Sequence, residues 1–196
     1  MTDKEQIISI FNEAQLLKQQ MQQQDSWSLE LMKAIHFITD SYRAGGKLLL
    51  CGNGGSAADA QHIAAELSGR FRLNRQGLFA EALHTNGSYL TAVANDYGFD
   101  EIYARLVDAI GNEKDILLAI STSGNSKNIL RAIEVAKSKK IKIIGFGGKD
   151  GGEMKNWCDI YLGVPHQKTE RIQEIHILWG HILCELVEEK LFGQNK

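Results

Sequence analysis

Between residues 47 and 164 the chain alternates short, continuously apolar runs with stretches whose apolar positions recur every three or four residues. The runs cover 47–51, 79–83, 115–120, 142–147 and 159–164, lengths that suit strands. The stretch 125–139 shows the other period, with Ile129, Ala132, Ile133 and Ala136 on one face of a helix. Apolar strands separated by helices predict a five-stranded parallel sheet covered on both faces. Ahead of this core, Thr2-Asp-Lys-Glu5 has the form of a capping box opening a helix that runs to about residue 24. Ser28 is placed to cap a second helix, which Ala44-Gly45-Gly46 ends. A last helix is expected over 171–191, after the only proline, Pro165. Its apolar stripe (Ile172, Ile175, Leu178, Trp179, Ile182, Leu183, Leu186 and Val187) is wider than one neighbour needs. That width predicts burial between subunits, with packing inside its own monomer as the alternative. No linker, repeat or low-complexity segment breaks the pattern. Residues 1–196 therefore read as one α/β domain: helices over 1–45, a sheet core over 46–170 and an interface helix over 171–192.

Composition narrows the partners. With 196 residues, 43% hydrophobic and 23% charged, the chain can bury an ordinary globular core. A net charge of −2 gives no reason to expect nucleic acid or an anionic membrane as partner. No apolar run approaches membrane-spanning length, and Met1-Thr-Asp-Lys-Glu5 offers neither a signal-peptide core nor a basic recognition helix. Cys51, Cys158 and Cys184, odd in number and without a C-x-x-C pair, read as reduced thiols of a cytoplasmic protein.

The candidate chemistry begins where the first strand ends. Cys51-Gly-Asn-Gly-Gly-Ser56 turns the chain into a helix at about Ser56, aiming backbone N–H groups and a positive helix end at an anion. The same helix carries His62 and Glu66 at i and i+4, one turn apart on one face. A second loop, Ser121-Thr-Ser-Gly-Asn-Ser126, follows another strand, at the sheet end where open α/β folds bind ligands. Two such loops can converge on one phosphosugar, although these residues can also do no more than cap the helix. No lysine stands where a P-loop needs one, which argues against nucleoside triphosphate hydrolysis. The glycine turn also satisfies G-x-G-x-x-A. The nearest strand acid, Glu81, lies too far along and inside an apolar run, so a dinucleotide cofactor is a minor alternative. His36, His84 and His166 have no comparable neighbours and read as structural, Cys51 as a buried strand end and Trp179 as packing. His176 points about 140° of helix rotation away from His181.

Taken together, the motifs resemble the sugar isomerase (SIS) family, and within it the phosphoheptose isomerases, over nearly the whole chain. The residues that carry the likeness are Cys51-Gly-Asn-Gly-Gly-Ser56, His62-x-x-x-Glu66, Asn95-Asp96, Ser121-Thr-Ser-Gly-Asn-Ser126 and Arg171-Ile-Gln173-Glu-Ile-His176, with His181 beyond. The resemblance implies a flavodoxin-like αβα sandwich and a homotetramer with active sites between subunits. It implies that Asn53, Gly54, Gly55, Ser56, Ser121, Thr122, Ser123 and Ser126 hold a phosphosugar. Asn95 and Asp96 would contact its hydroxyls, with Arg70 nearby. His62, Glu66, Gln173 and His181 would ligate zinc, with Glu66 and His181 also the acid–base pair and Gln173 also near substrate. Between Pro165 and Arg171 the chain is about one residue shorter than the family pattern, and Glu170 replaces an aspartate, so no role carries over to it.

The implied reaction interconverts D-sedoheptulose 7-phosphate and D-glycero-D-manno-heptose 7-phosphate through an enediol, early in heptose synthesis for lipopolysaccharide or capsule. It needs a base for a carbon-bound proton and an acid for the neighbouring oxygen, which a carboxylate and a histidine supply. Metal would polarise the carbonyl, although four protein ligands normally close a zinc site. Gln173 and His181 are eight residues apart, roughly 12 Å along an ideal helix. They can share an ion only if Gln173 sits at an irregular helix start or the ligands come from different chains. The competing class is a non-catalytic tetramer of the same family that binds a replication-initiator protein. Such proteins lack the residues that are Glu66 and His181 here.

Overall fold

The computed structural model describes residues 1–193, so the last three residues of the expected 1–196 unit lie outside the described residues. Each predicted apolar run forms a strand: β1 Leu48–Gly52, β2 Ala80–Ala82, β3 Ile116–Ser121, β4 Lys142–Gly148 and β5 Ile160–Val164. They pair in the order β2-β1-β3-β4-β5, every pair parallel. The helices are α1 Asp3–Gln22, α2 Ser26–Arg43, α3 Gly55–Ser68, α4 Gly87–Tyr97, α5 Ala104–Ile110, α6 Lys127–Ser138 and α7 Thr169–Phe192. Strand side chains alternate between faces. Leu48 and Leu50 meet α2, α3 and α7 on one side, while Leu49 and Cys51 meet α4, α5 and α6 on the other. The result is the expected αβα sandwich.

Asp115 sets the level of the central strands. Fully buried, it accepts hydrogen bonds from Lys47 N (3.0 Å), Lys47 Nζ (2.6 Å) and Asn112 N (2.8 Å), tying the start of β3 to the start of β1. A buried carboxylate is tolerated only with such partners. The carboxyl ends of β1 and β3, from which the two predicted anion loops leave, are thereby brought level.

The N-terminal capping box forms: Thr2 Oγ1 accepts from Glu5 N, and Thr2 N donates to Glu5 Oε2. The second helix starts earlier than expected. Ser28 lies inside α2, its hydroxyl donating to Asp25 O, and Asp25 precedes the helix without a side-chain cap. Trp27 accounts for the shift, because its indole N–H donates to Met21 O and its ring stacks on Trp179, anchoring the chain one residue before Ser28. Tertiary packing outweighs the local cap.

The broad stripe of α7 finds partners within the chain. Ile172, Ile175, Trp179, Leu183 and Val187 are buried between the sheet, α2 and α3, and only Leu178 stands substantially exposed. Two neighbours plus a sheet explain a stripe too wide for one neighbour. The larger apolar surface left open belongs to α1, where Ile7, Ile10 and Phe11 are exposed. Among the described residues no helix is long and apolar enough to cross a membrane.

Trp179 stacks on Trp27 and meets Phe146 edge-on, so it joins α2, α7 and the sheet. Trp179→Ala is expected to cost roughly 3–5 kcal/mol. Thermal unfolding should show a midpoint lower by on the order of 10 °C, and an unchanged midpoint would contradict this account of the core.

Candidate active site

The two predicted anion loops leave adjacent strands at the same level, since Gly52 pairs with Ile120. Gly54, at φ 55°, takes the left-handed conformation that turns β1 into α3. Neither α3 nor α6 has a side-chain N-cap bond. Ser126, the residue before α6, turns its hydroxyl instead to Ser121 Oγ at 3.2 Å. The serines therefore do more than cap a helix, and both helix N-termini keep donors and positive dipole ends for an anion. Some hydroxyl capacity is used inside the loop, where Ser121 Oγ accepts from Gly124 N and Ser123 Oγ from Asn125 N. Asn53 and Asn128 join the two loops by a reciprocal amide pair at 2.9 and 2.8 Å. Beside the serine loop, a cleft of about 240 Å³ is lined by Thr122, Ser123, Gly148, Lys149 and Gly151 among others. A larger cavity, about 720 Å³, lies elsewhere, between α1 and the β5–α7 connection, and holds no predicted site residue.

The predicted acid–base groups gather along the seam of α3 and α7. Glycine makes the seam close: a Cβ on Gly180 would stand 2.6 Å from Ile63 Cδ1 and 2.7 Å from its Cγ1. The next residues along, His181 and His62, bring their Nε2 atoms to 3.1 Å. Glu66 Oε1 lies 3.3 Å from His62 Nε2. These groups face outward, with the His62 side chain 48% and the Glu66 side chain 28% exposed. Two facing imidazole nitrogens must share a proton or a cation, because two lone pairs would repel. The donor chemistry fits zinc, and both separations approach the roughly 3.3 Å edge of a tetrahedron with 2.0–2.1 Å ligand bonds. Among the described residues, however, no three histidine, cysteine or carboxylate groups close on one point.

Gln173 belongs to the other end of the seam. Its amide atoms would lie 2.7 and 2.8 Å from a Cβ on Gly55, so a side chain there would push the Gln173 amide from its present place. It sits within the regular helix α7, which removes the irregular-start explanation for its sharing an ion with His181. Arg70 lies exposed just beyond α3. Asn95 and Asp96 are exposed on α4, where Asn95 Nδ2 donates to Asp96 Oδ1, and neither bonds to the other site residues. His176 is structural: its Nε2 pairs with Gly147 O, and burial lowers its pKa to about 4 against that bond. Burial also pushes the Cys51 thiol far up, so it is no nucleophile. Sequence reasoning missed Asn128, Lys149 and Phe71, whose ring stacks on His181 at 6.1 Å. Asn128 and Lys149 lie two residues past a recognised motif or strand, whereas nothing local marks Phe71.

The SIS domain family matches residues 11–148. A phosphoheptose isomerase from Clostridium acetobutylicum is 49% identical over 166 residues, 85% of each chain. The chain belongs to the SIS-domain phosphoheptose isomerase family. A family member from Helicobacter pylori is 52% identical over 165 residues, 84% of this chain and 86% of the relative. Among solved phosphoheptose isomerases, that from Francisella tularensis superposes with a TM-score of 0.92 at 38% identity, covering 96% of this chain and 100% of the other. That from Neisseria gonorrhoeae gives 0.90 at 40% identity, with the same coverage.

The geometry makes Gly180 the spacer of this family member's seam. Gly180→Ala is expected to overpack Ile63 at a cost of about 1–3 kcal/mol and to part His181 from His62. A crystal structure of the variant with both the seam and the histidine contact unchanged would refute this.

Proposed function

We propose that this chain interconverts D-sedoheptulose 7-phosphate and D-glycero-D-manno-heptose 7-phosphate, feeding heptose synthesis for lipopolysaccharide or capsule. The observation that carries this reading is the meeting of His62, Glu66 and His181 on a seam whose other end adjoins two uncapped helix N-termini. Asn53, Gly54, Gly55 and Ser56 on one loop, with Ser121, Thr122, Ser123 and Ser126 on the other, take the phosphosugar. They anchor it by its phosphate and so position the distant carbonyl end. Arg70, Asn95 and Asp96 contact the sugar when the site is complete.

Glu66 removes the proton from C1 of the ketose while His181 protonates the C2 oxygen, giving the enediol. Proton loss from the C1 oxygen and return of a proton to C2 then give the aldose, with no atom gained or lost. His62, Glu66 and His181, which among the described residues do not close on one point within the single chain, would have to draw together to hold a zinc-type ion, and Gln173 can join the set only from another copy of the chain. When bound, such an ion supplies charge that polarises the carbonyl and stabilises the enediolate. The exposed apolar face of α1 and the outward-facing histidines support a homotetramer that completes each site between chains. The free thiols support a reduced, cytoplasmic setting. A replication-initiator-binding role is disfavoured by the presence of Glu66 and His181 and by relatives named as isomerases.

The test is an NMR time course with sedoheptulose 7-phosphate in D₂O, run with the wild type and Glu66→Gln. Aldoheptose 7-phosphate carrying deuterium at C2, formed by the wild type and slowed at least 10²-fold in the variant, is the expected outcome. No turnover by the wild type, with or without added zinc, would sink the reading.

A further inference from the structure

The turn that follows α3 is held by a buried ion pair that reaches both ends of the acid–base cluster. Glu188 on α7 and Arg75 beyond α3 meet at 2.9 Å, each side chain 2% exposed. The Glu188 carboxylate accepts four hydrogen bonds, from Phe71 N (3.2 Å), Arg72 N (2.8 Å), Leu73 N (2.9 Å) and Arg75 Nε (2.9 Å). The Arg75 guanidinium donates onward to the carbonyls of Leu67, Gly69 and Gln76 through Nη1 and to that of Glu66 through Nη2. This exceeds what closing a surface turn requires. Burial pushes the Glu188 carboxyl up, but the N–H groups of Leu73, Arg72 and Phe71, together with Arg75, outweigh it and hold the group below the ordinary glutamate value.

The bonds end at the chemistry. Arg75 caps the last turn of α3 through the carbonyl of Glu66 itself. Glu188 fixes the amide of Phe71, whose ring lies on His181. The residues on either side of Arg70 are both pinned, Gly69 by its carbonyl and Phe71 by its amide. We propose that Glu188 and Arg75 are positioning residues for the isomerase reaction, holding Glu66, Arg70 and His181 in register by fixing the turn that joins them. Neither residue need touch substrate. This inference rests on the isomerase reading for its kinetic consequence, while its structural consequence can be measured independently.

Glu188→Gln is the informative change, because an amide nitrogen cannot accept from Phe71 N or Arg75 Nε. The variant is expected to fold, as judged by circular dichroism at the assay temperature. It should lose roughly 10–100-fold in kcat with KM within about threefold, the pattern of misplaced reacting groups. Glu189→Gln, at an exposed neighbouring position, is the control. In parallel, the His181 ring resonances of the whole protein should move in Glu188→Gln and stay in place in Glu189→Gln. A folded Glu188→Gln protein with wild-type kcat and unmoved His181 resonances would overturn the proposal. So would a loss that only follows the unfolded fraction. If Glu188→Gln fails to fold, Phe71→Leu keeps the clamp but removes the ring. It is expected to shift the His181 resonances and the pH profile of kcat, and an unchanged profile and spectrum would overturn the proposal. A wild type without turnover would refute the isomerase reading, leaving the resonance comparison to decide the clamp.

Discussion

The seam between α3 and α7, where Gly180 offers no side chain to hold the helices apart, fixes the position of the proposed acid–base groups His62, Glu66 and His181. His62 and Glu66 ride on one helix and His181 on the other, so their separation is the interhelical distance read out in side chains. The sheet sets that distance from below. α3 leaves β1 and packs on the same face as α7, and Asp115 keeps the central strands level. Fold and chemistry are therefore coupled through one contact. A change in the buried layer under either helix moves the imidazoles without touching them.

The proposed binding loops and the proposed acid–base cluster occupy different parts of the same scaffold. The anion loops are made largely of backbone N–H groups and hydroxyls at the carboxyl ends of strands, where glycine allows the chain to turn tightly. The acid–base cluster lies about two turns of helix away, on an outward face. Such a division lets one end of a substrate be held by rigid sheet geometry while the other meets ionisable side chains. The cost is an open site, and an assembly of chains is a natural way to cover it.

Much of this was legible in the sequence, and the reason is physical. Strands buried on both faces must be apolar throughout, so the runs at 47–51, 115–120 and 142–147 announced themselves, as did the helix bearing Ile129 and Ile133. Tight turns need glycine, so the loop at Gly54 and Gly55 stood out, and helical spacing placed His62 with Glu66. What lay beyond sequence reading were features decided by contacts far apart in the chain. The start of α2 is set by Trp27 stacking on Trp179, which no capping rule encodes. The width of the α7 stripe reflects two helical neighbours in its own chain, a fact that periodicity cannot separate from an intersubunit face. Phe71 on His181, Asn53 with Asn128, and Glu188 with Arg75 are likewise pairs brought together only by folding.

The three thiols carry a consequence for how this molecule meets oxidants. Burial pushes Cys51 far above the ordinary thiol range and holds Cys158 and Cys184 up at about 12, so almost no thiolate exists near neutral pH. Peroxide and alkylating reagents act on the thiolate, and the native protein presents them with almost none. A cysteine introduced on the surface would then be the one reactive thiol in the molecule, ready to carry a single reporter without first removing the natural three.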